Sequence, residues 1–224
     1  VLELLRFELM MGTLPALIYS AYQISSWRNR VAEQRRALRE ALEQVEQLAI
    51  RDGLTGLHNR RHMQDRLEHC VKRFERYGEA FTVVLIDLDH FKRINDTHGH
   101  KVGDQVLQSF ASAAQLVLRE TDCLSRWGGE EFLFLLPATH AHKAGVAVER
   151  LRESLKTCTI SLSVPDLRLT FSAGIAVHDV PMPLHRTLER ADQALYAAKQ
   201  GGRNRSELAL PPQTDAITLV RAPG

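Results

Sequence analysis

The run from Arg126 to Phe132 combines two adjacent glycines with two adjacent carboxylates. Because glycine adopts positive φ without steric cost, Gly128 and Gly129 are predicted to form the two-residue turn of a β-hairpin. Glu130 and Glu131 follow the turn and precede an apolar strand. Glycine lets a ligand approach the backbone, and carboxylates are oxygen ligands that hard cations prefer. The run therefore predicts a site for a metal-bound triphosphate, although a simple β-turn with a charged exit would have the same residues.

A second acidic pair stands at the end of a predicted buried strand. Residues 81–86 are apolar and β-branched, and Asp87 and Asp89 follow them directly. Alternate residues of a strand share a face, so the two carboxylates are expected on the same side, placed to hold a cation. The alternative is that an Asp here caps the next helix. A polar, glycine-rich connection, residues 95–104, then leads to a predicted helix from Gln105 to Leu118.

Together these motifs resemble the GGDEF family, the diguanylate cyclases. The resemblance covers residues 51–206, with Glu130 in place of the Asp in the family's name. The matching stretches are, in chain order, Asp52–Arg61, Asp87–Asp104, Gly128–Phe132, Phe171–Ala176, Ala191–Lys199 and Gly202–Asn204. A glutamate still supplies two hard oxygens, so the resemblance implies an active GGEEF variant.

The resemblance implies that the protein condenses two GTP molecules into cyclic di-GMP with release of two pyrophosphates. It also implies two Mg²⁺ (or Mn²⁺) ions per active site, held by Asp87, Glu130 and the backbone carbonyl of Leu88. Glu130 is the expected base for the ribose 3′-hydroxyl, and the adjacent Glu131 is the alternative. Lys92 completes the predicted catalytic residues.

Other residues match the family's nucleotide contacts. Phosphate contacts are expected at Phe91, Lys92, Lys199 and Arg203, and further substrate contacts at Gly128 and Gly129. Guanine contacts are expected at Asn95 and Asp104, with His100 nearby. Two bland alternatives stay open. Lys199 and Arg203 also suit the C-terminal end of a helix, where the dipole favours cations, and Asn95 alone could cap a loop. An ion pair between Asp52 and Arg126 is expected to tie the entry turn to the hairpin.

A second, inhibitory site is predicted on the same grounds. Arg119 and Asp122 form an Arg-x-x-Asp motif nine residues before Gly128, the spacing of the family's product-binding site. An arginine fork can engage guanine or a phosphate through two hydrogen bonds. Arg150 is expected to contribute from the following helix. A solvated charged turn is the alternative.

Composition limits the possible partners. The chain has 224 residues, with 29 Lys and Arg against 27 Asp and Glu, so a general nucleic-acid surface is not expected. Three cysteines, Cys70, Cys123 and Cys158, show no metal-binding spacing and are expected to be reduced thiols that pack in the core.

The chain is predicted to have four parts: residues 1–27, 28–50, 51–206 and 207–224. Residues 9–27 carry no charge and precede a run of arginines, as expected for a membrane helix followed by a cytoplasmic segment. An amphipathic dimerisation helix is the alternative. With Val1 rather than Met at its start, the chain is expected to be the C-terminal part of a longer protein anchored in the inner membrane, with its catalytic domain in the cytoplasm.

Residues 28–50 predict a coiled-coil helix that makes a homodimer. Its apolar seam is Val31, Leu38, Leu42, Val45 and Ala49. The alternative is a single amphipathic helix packed on its own domain. Residues 207–224 are expected to form a loosely ordered tail.

For the catalytic part the sequence predicts an α+β fold with a mostly antiparallel sheet and helices on one side. The resemblance implies the palm-like architecture. Helices are predicted at 61–77, 91–95, 105–118, 141–155 and 184–200, and strands at 81–86, 123–127, 131–136, 158–164 and 169–177. Two other functions remain: a catalytically silent domain that binds cyclic di-GMP or GTP as a receptor, and a plain coiled-coil scaffold.

Overall fold

The structure is a computed structural model that describes residues 19, 23–36, 38, 50–158, 160–161 and 163–210. The chain divides into two compact units, Val1–Ala49 and Ile50–Gly224. In the first unit, residues 23–36 form helix α1, and Tyr19 and Leu38 are also helical. The side chains of Ile24, Trp27 and Leu38 are exposed.

Much of the N-terminal prediction falls on residues that the structure leaves undescribed. Residues 9–18 of the uncharged stretch lie outside the described residues, as do Leu42, Val45 and Ala49 of the seam. Within the described part of the chain, no helix has the length and apolar character needed to cross a bilayer. The coiled coil and the membrane segment therefore stay predictions.

The second unit is built on a five-stranded sheet with the order β2-β3-β1-β4-β5. Its strands are β1 Phe81–Leu88, β2 Cys123–Gly128, β3 Glu131–Pro137, β4 Phe171–His178 and β5 Ser206–Leu208. All pairings are antiparallel except the one between β4 and β5, which is parallel. The mostly antiparallel α+β fold is thus confirmed.

Helices cover both faces of this sheet, so the expected one-sided arrangement is wrong. The helices are α2 Arg60–Tyr77, α3 Phe91–His98, α4 His100–Val117, α5 Ala141–Thr157 and α6 Leu184–Gln200. Along β1, Val84 and Ile86 pack into a core with α3, α4 and α5, whereas Val83 and Leu85 pack with α2 and α6. Because alternate side chains point to opposite faces, an uninterrupted apolar run is typical of a strand buried on both sides.

Helix α4 begins at His100 rather than at the predicted Gln105. Gly99, with φ 83°, separates α3 from α4, so most of the predicted polar connection is helical. The polar residues there lie on the solvent side, and burial begins with Val102 and Gly103.

Two strand predictions need correction at the C-terminal end of the sheet. Among the described residues of 158–164 none is in a strand. Instead, the carbonyl of Ile160 accepts a hydrogen bond from the Ser109 hydroxyl of α4. The true edge strand is β5, which is short and partly polar and so gave no clear pattern. Ala209 then donates its N–H to the carbonyl of Ile175, so pairing extends beyond residue 206.

The three cysteines have free thiols, and two of them match the expected packing role. Cys70 and Cys123 are buried, and burial raises the pKa of both thiols. Cys158 is exposed, so it is not a core residue.

Candidate active site

Two carboxylates meet where β1 and β3 reach the same edge of the domain. Asp87 of β1 lies directly opposite Glu131 of β3 in the antiparallel register. The Lys199 ammonium, from the last turn of α6, is 2.8 Å from Asp87. Burial raises the pKa of Glu131, and the negative charge of Asp87 raises it further, while Lys199 opposes the shift. Like charges in cross-strand positions are destabilising, so this arrangement favours a bound cation.

The hairpin turn is shifted by one residue from the prediction. Gly128 pairs with Glu131, so the turn consists of Gly129 and Glu130 rather than Gly128 and Gly129. Gly129 has φ 45°, whereas Gly128 ends β2 after a bulge that begins at Arg126. Glu130 is therefore at the hairpin tip. Its carbonyl accepts a 3.3 Å hydrogen bond from the N–H of Leu88, which brings the three predicted metal-binding residues together.

Asp52 and Arg126 fix the hairpin to the turn at the start of the domain. The two side chains form an ion pair at 3.2 Å, and the Arg126 guanidinium also donates to the carbonyl of Gly129. Burial alone would raise the pKa of Asp52, but hydrogen bonds from Thr55 and the charge of Arg126 outweigh it and lower the pKa. The pair holds the hairpin tip in place without reaching the acidic edge itself.

Predicted phosphate contacts lie on two sides of the acidic pair. Phe91 and Lys92 form the start of α3, directly after β1, where backbone N–H groups favour an anion. Phe91 is buried, so it can offer its backbone but little of its side chain, whereas Lys92 is exposed. Lys199 contacts Asp87, and Arg203 lies exposed in the turn after α6.

The predicted guanine contacts are carried by α3 and α4. Asn95 lies on α3 and is half-buried, while His100 and Asp104 lie exposed on the first turns of α4. Gly103 is the residue that sequence reasoning missed. A Cβ atom there would come within 1.9 Å of the Asn95 side-chain oxygen, so only glycine leaves room for this side chain. The sequence did offer one signal, a glycine next to Asp104, but a glycine is expected in the loop that was predicted there.

A separate pocket of about 300 Å³ joins the three predicted inhibitory-site residues, Arg119, Asp122 and Arg150. Two hydrogen bonds close the turn: the N–H of Arg119 donates to the Asp122 carboxylate, and the N–H of Asp122 donates to the Arg119 carbonyl. The Arg150 guanidinium donates to the carbonyl of Val117. Sequence reasoning did not identify the basic residues His142 and Lys143, which also line the pocket from α5.

The acidic edge fits a divalent cation by its chemistry. In the described part of the chain no three His, Cys, Asp or Glu side chains converge in a ready-made cluster. Mg²⁺, however, is usually held by one or two carboxylates, with waters and substrate phosphates completing its shell. Asp87, the Leu88 carbonyl and Glu130 supply hard oxygens, and Glu131 lies directly opposite Asp87.

Comparison with known proteins agrees with this geometry. The family profile described as "Diguanylate cyclase, GGDEF domain" matches residues 49–205. Diguanylate cyclase DgcP of Pseudomonas aeruginosa is 42% identical over 181 residues, which cover 81% of this chain and 27% of that protein. The chain thus spans about a quarter to a half of the length of the curated relatives that it matches.

Solved structures show the same fold. The coiled coil and GGDEF domain of DgcB from Caulobacter crescentus, in complex with c-di-GMP, has a TM-score of 0.77 at 36% identity; the match covers 83% of this chain and 98% of that one. The active GGEEF domain of a diguanylate cyclase from Vibrio cholerae has a TM-score of 0.64 at 32% identity, and covers 68% of this chain and 97% of that one.

Proposed function

The chain belongs to the GGDEF family of diguanylate cyclase domains, and on this premise we propose that its second unit condenses two GTP molecules into cyclic di-GMP and two pyrophosphates. One observation carries the proposal. The acids of β1 and of the hairpin lie opposite each other, with the Lys199 ammonium beside them. The carboxylates supply a negatively charged binding site for a metal ion, and the Lys199 ammonium supplies a cation for the phosphates of the nucleotide.

The reaction requires the ribose 3′-hydroxyl of each GTP to attack the α-phosphorus of the other, so that two such steps close the ring and release two pyrophosphates. The oxygen–phosphorus bond forms as the bond to pyrophosphate breaks. Two bound Mg²⁺ or Mn²⁺ ions would neutralise charge on the attacking and leaving oxygens. Asp87, Glu130 and the Leu88 carbonyl would hold them.

The hydroxyl proton is assigned to the carboxylate of Glu130, which is half-buried at the tip of the hairpin. Glu131 is the alternative acceptor, because a carboxylate with a raised pKa is a stronger base. Lys92, the N–H groups at the start of α3, Lys199 and Arg203 would orient the triphosphate. The hairpin residues Gly128 and Gly129 leave room for the nucleotide to approach the backbone.

Dimerisation follows from the stoichiometry of the reaction. Each domain holds one GTP, so two domains must face each other for the 3′-hydroxyl to reach a second nucleotide. The predicted seam from Val31 onward supports a homodimer, with α1 as its described part. Attachment of the full-length protein to the inner membrane through residues 1–27 is part of the same proposal and rests on the sequence alone.

The product is proposed to inhibit the enzyme at the pocket of Arg119, Asp122 and Arg150. Two arginines and one acid around a pocket of about 300 Å³ suit a guanine base and a phosphate. The pocket lies apart from the acidic edge, so the site could report product concentration without competing with GTP.

The direct test is incubation of the protein with GTP and Mg²⁺, followed by chromatographic separation of the nucleotides. We expect cyclic di-GMP from the wild type and none from Glu130→Ala. The reaction should be measured at a protein concentration at which the protein is shown to be dimeric in solution. A dimer that binds cyclic di-GMP yet forms no product would instead support the receptor function.

The close contact between Gly103 and Asn95 gives a prediction about base recognition. Gly103→Ala should displace the Asn95 side chain and raise the KM for GTP about tenfold, with kcat within about twofold, because the loss falls on ground-state binding. Initial rates across a range of GTP concentrations would measure both constants.

Gly145→Ala is the matched control, since Gly145 is also inside a helix but has no neighbouring atom within 4 Å of the added Cβ. It should leave the KM for GTP unchanged and stabilise the fold by about 0.5–1 kcal/mol. An unchanged KM in Gly103→Ala would contradict the assignment of Asn95 to the guanine site.

A further inference from the structure

Asp89 is a buried acid that the proposed reaction leaves without a role. Only 5% of its surface is exposed. Its carboxylate accepts hydrogen bonds from the Thr170 hydroxyl at 2.8 Å, the Ser172 hydroxyl at 2.7 Å and the N–H of Asn204 at 3.0 Å. It does not cap α3, whose N-cap residue is His90 and makes no side-chain cap bond. Buried carboxylates are retained only when hydrogen-bonded in this way, so Asp89 is held rigidly and faces inward.

The partner of Asp89 belongs to a turn with unfavourable backbone angles. Gly202, Arg203 and Asn204, which follow α6, have φ values of 111°, 62° and 47°. For Arg203 the left-handed conformation costs about 1–2 kcal/mol, whereas asparagine, the residue type at position 204, adopts it more readily. Such a turn persists only where its surroundings determine it.

Two buried charged groups hold this turn, in addition to the hydrogen bond from the Arg203 N–H to the Ala198 carbonyl of α6. Asp89 binds the main chain of Asn204, and the Arg152 guanidinium donates to the Asn204 side-chain oxygen at 2.8 Å. Arg152 is only 8% exposed and also donates to the carbonyl of Phe171 in β4. The turn is thus fastened from the end of β1 on one side and from α5 on the other.

We propose that Asp89, assisted by Arg152, is a positioning residue that sets Arg203 against the triphosphate. Asp89 follows Asp87 and Leu88 by one or two residues, so the same strand end that seats the metal also fixes the turn that carries Arg203. One buried carboxylate thereby sets the distance between the end of β1 and the turn that carries Arg203. The inference rests on the proposed function, because it takes Arg203 as a phosphate contact.

The test measures binding of 3′-deoxy-GTP in the presence of Mg²⁺ by calorimetry. This nucleotide lacks the attacking hydroxyl, so binding is observed without turnover. Asp89→Ala should weaken binding about tenfold, as should Arg203→Ala. In the double variant the second substitution should add less than about twofold, because both remove the same contact.

Asp89→Asn provides the conservative rescue. The asparagine oxygen can accept from both Thr170 and Asn204, while its amide can donate to the Ser172 hydroxyl, which is free to rotate. Affinity for 3′-deoxy-GTP should therefore stay within about twofold of wild type. If the role of Asp89 were purely structural, Asp89→Ala would instead lower the melting temperature, and its effect on binding would be the same with or without Arg203.

A second variant covers the case in which Asp89→Ala fails to fold. Asn204→Gly keeps the positive φ and the N–H but loses the bond to Arg152. It should weaken the binding of 3′-deoxy-GTP when introduced into the wild type, but not when introduced into Arg203→Ala. If the loss of affinity caused by Asp89→Ala or Asn204→Gly adds in full to that caused by Arg203→Ala, the proposal for Asp89 is overturned, whereas the proposed function is not affected. No binding of 3′-deoxy-GTP by the wild type would overturn it together with the proposed function.

Discussion

Replacing Asp87 with asparagine is expected to slow cyclic di-GMP formation by at least about a thousandfold, roughly 4 kcal/mol of transition-state stabilisation. Asparagine keeps the size of the side chain but removes the charge that would neutralise a divalent cation at the acidic edge. The carboxylate is the one directly opposite Glu131 and in contact with Lys199. The measurement is the initial rate with GTP and Mg²⁺.

The fold should survive this substitution. Asp87→Asn removes the pairing with Lys199 but also removes the repulsion that raises the pKa of Glu131, so the two effects offset. We expect the free energy of unfolding to change by less than about 1 kcal/mol. Asp65→Asn, on the exposed surface of α2, is the matched control and should keep the wild-type rate. Full activity in Asp87→Asn would remove this carboxylate from the reaction.

Replacing Arg119 with alanine is expected to raise the cyclic di-GMP concentration needed for half-inhibition at least about tenfold, while the initial rate stays within about twofold of wild type. Both hydrogen bonds that close the Arg119–Asp122 turn use the main chain of Arg119, so the turn keeps its shape. Only the guanidinium at the pocket is lost. Rates measured at increasing concentrations of added product would give the half-inhibiting value.

A neighbouring substitution controls for charge and for the turn itself. Glu120→Ala lies in the same turn and is exposed, but Glu120 does not line the pocket. It should leave the half-inhibiting concentration unchanged. Equal inhibition of Arg119→Ala and wild type would mean that the pocket is not the inhibitory site.

Patterns of apolar residues made most of the sheet predictable. β1, β3 and β4 are largely apolar runs, and their predicted positions were correct to within a few residues. The edge strand β5 was not predictable, because three residues carry no period and its pairing depends on a return of the chain to β4. The strand prediction for residues 158–164 was wrong for the opposite reason. This run is apolar enough for a strand, but in its described part the Ile160 carbonyl bonds to Ser109 of α4 and not to a neighbouring strand.

Residue types indicated the candidate site, whereas the contacts that hold its residues in place could not be predicted from the sequence. Adjacent glycines indicate a turn, yet the bulge between Arg126 and Gly128 moved that turn by one residue, and sequence spacing does not reveal a bulge. Gly103 and Asp89 act through contacts with Asn95 and Asn204, which lie on other elements. Such contacts appear only once the helices and the final turn are placed around the sheet.

The position of β1 at the centre of the sheet has a consequence for biosynthesis. Asp87 lies in the first strand to leave the ribosome, Glu131 in the third, and Lys199 and Asn204 only near the end of the domain. Because of this order along the chain, the contact between Asp87 and Lys199 forms only after almost the whole domain has been translated. A prematurely terminated chain that stops before α6 carries Asp87 and Glu131 but lacks the Lys199 ammonium that contacts Asp87 in the complete domain.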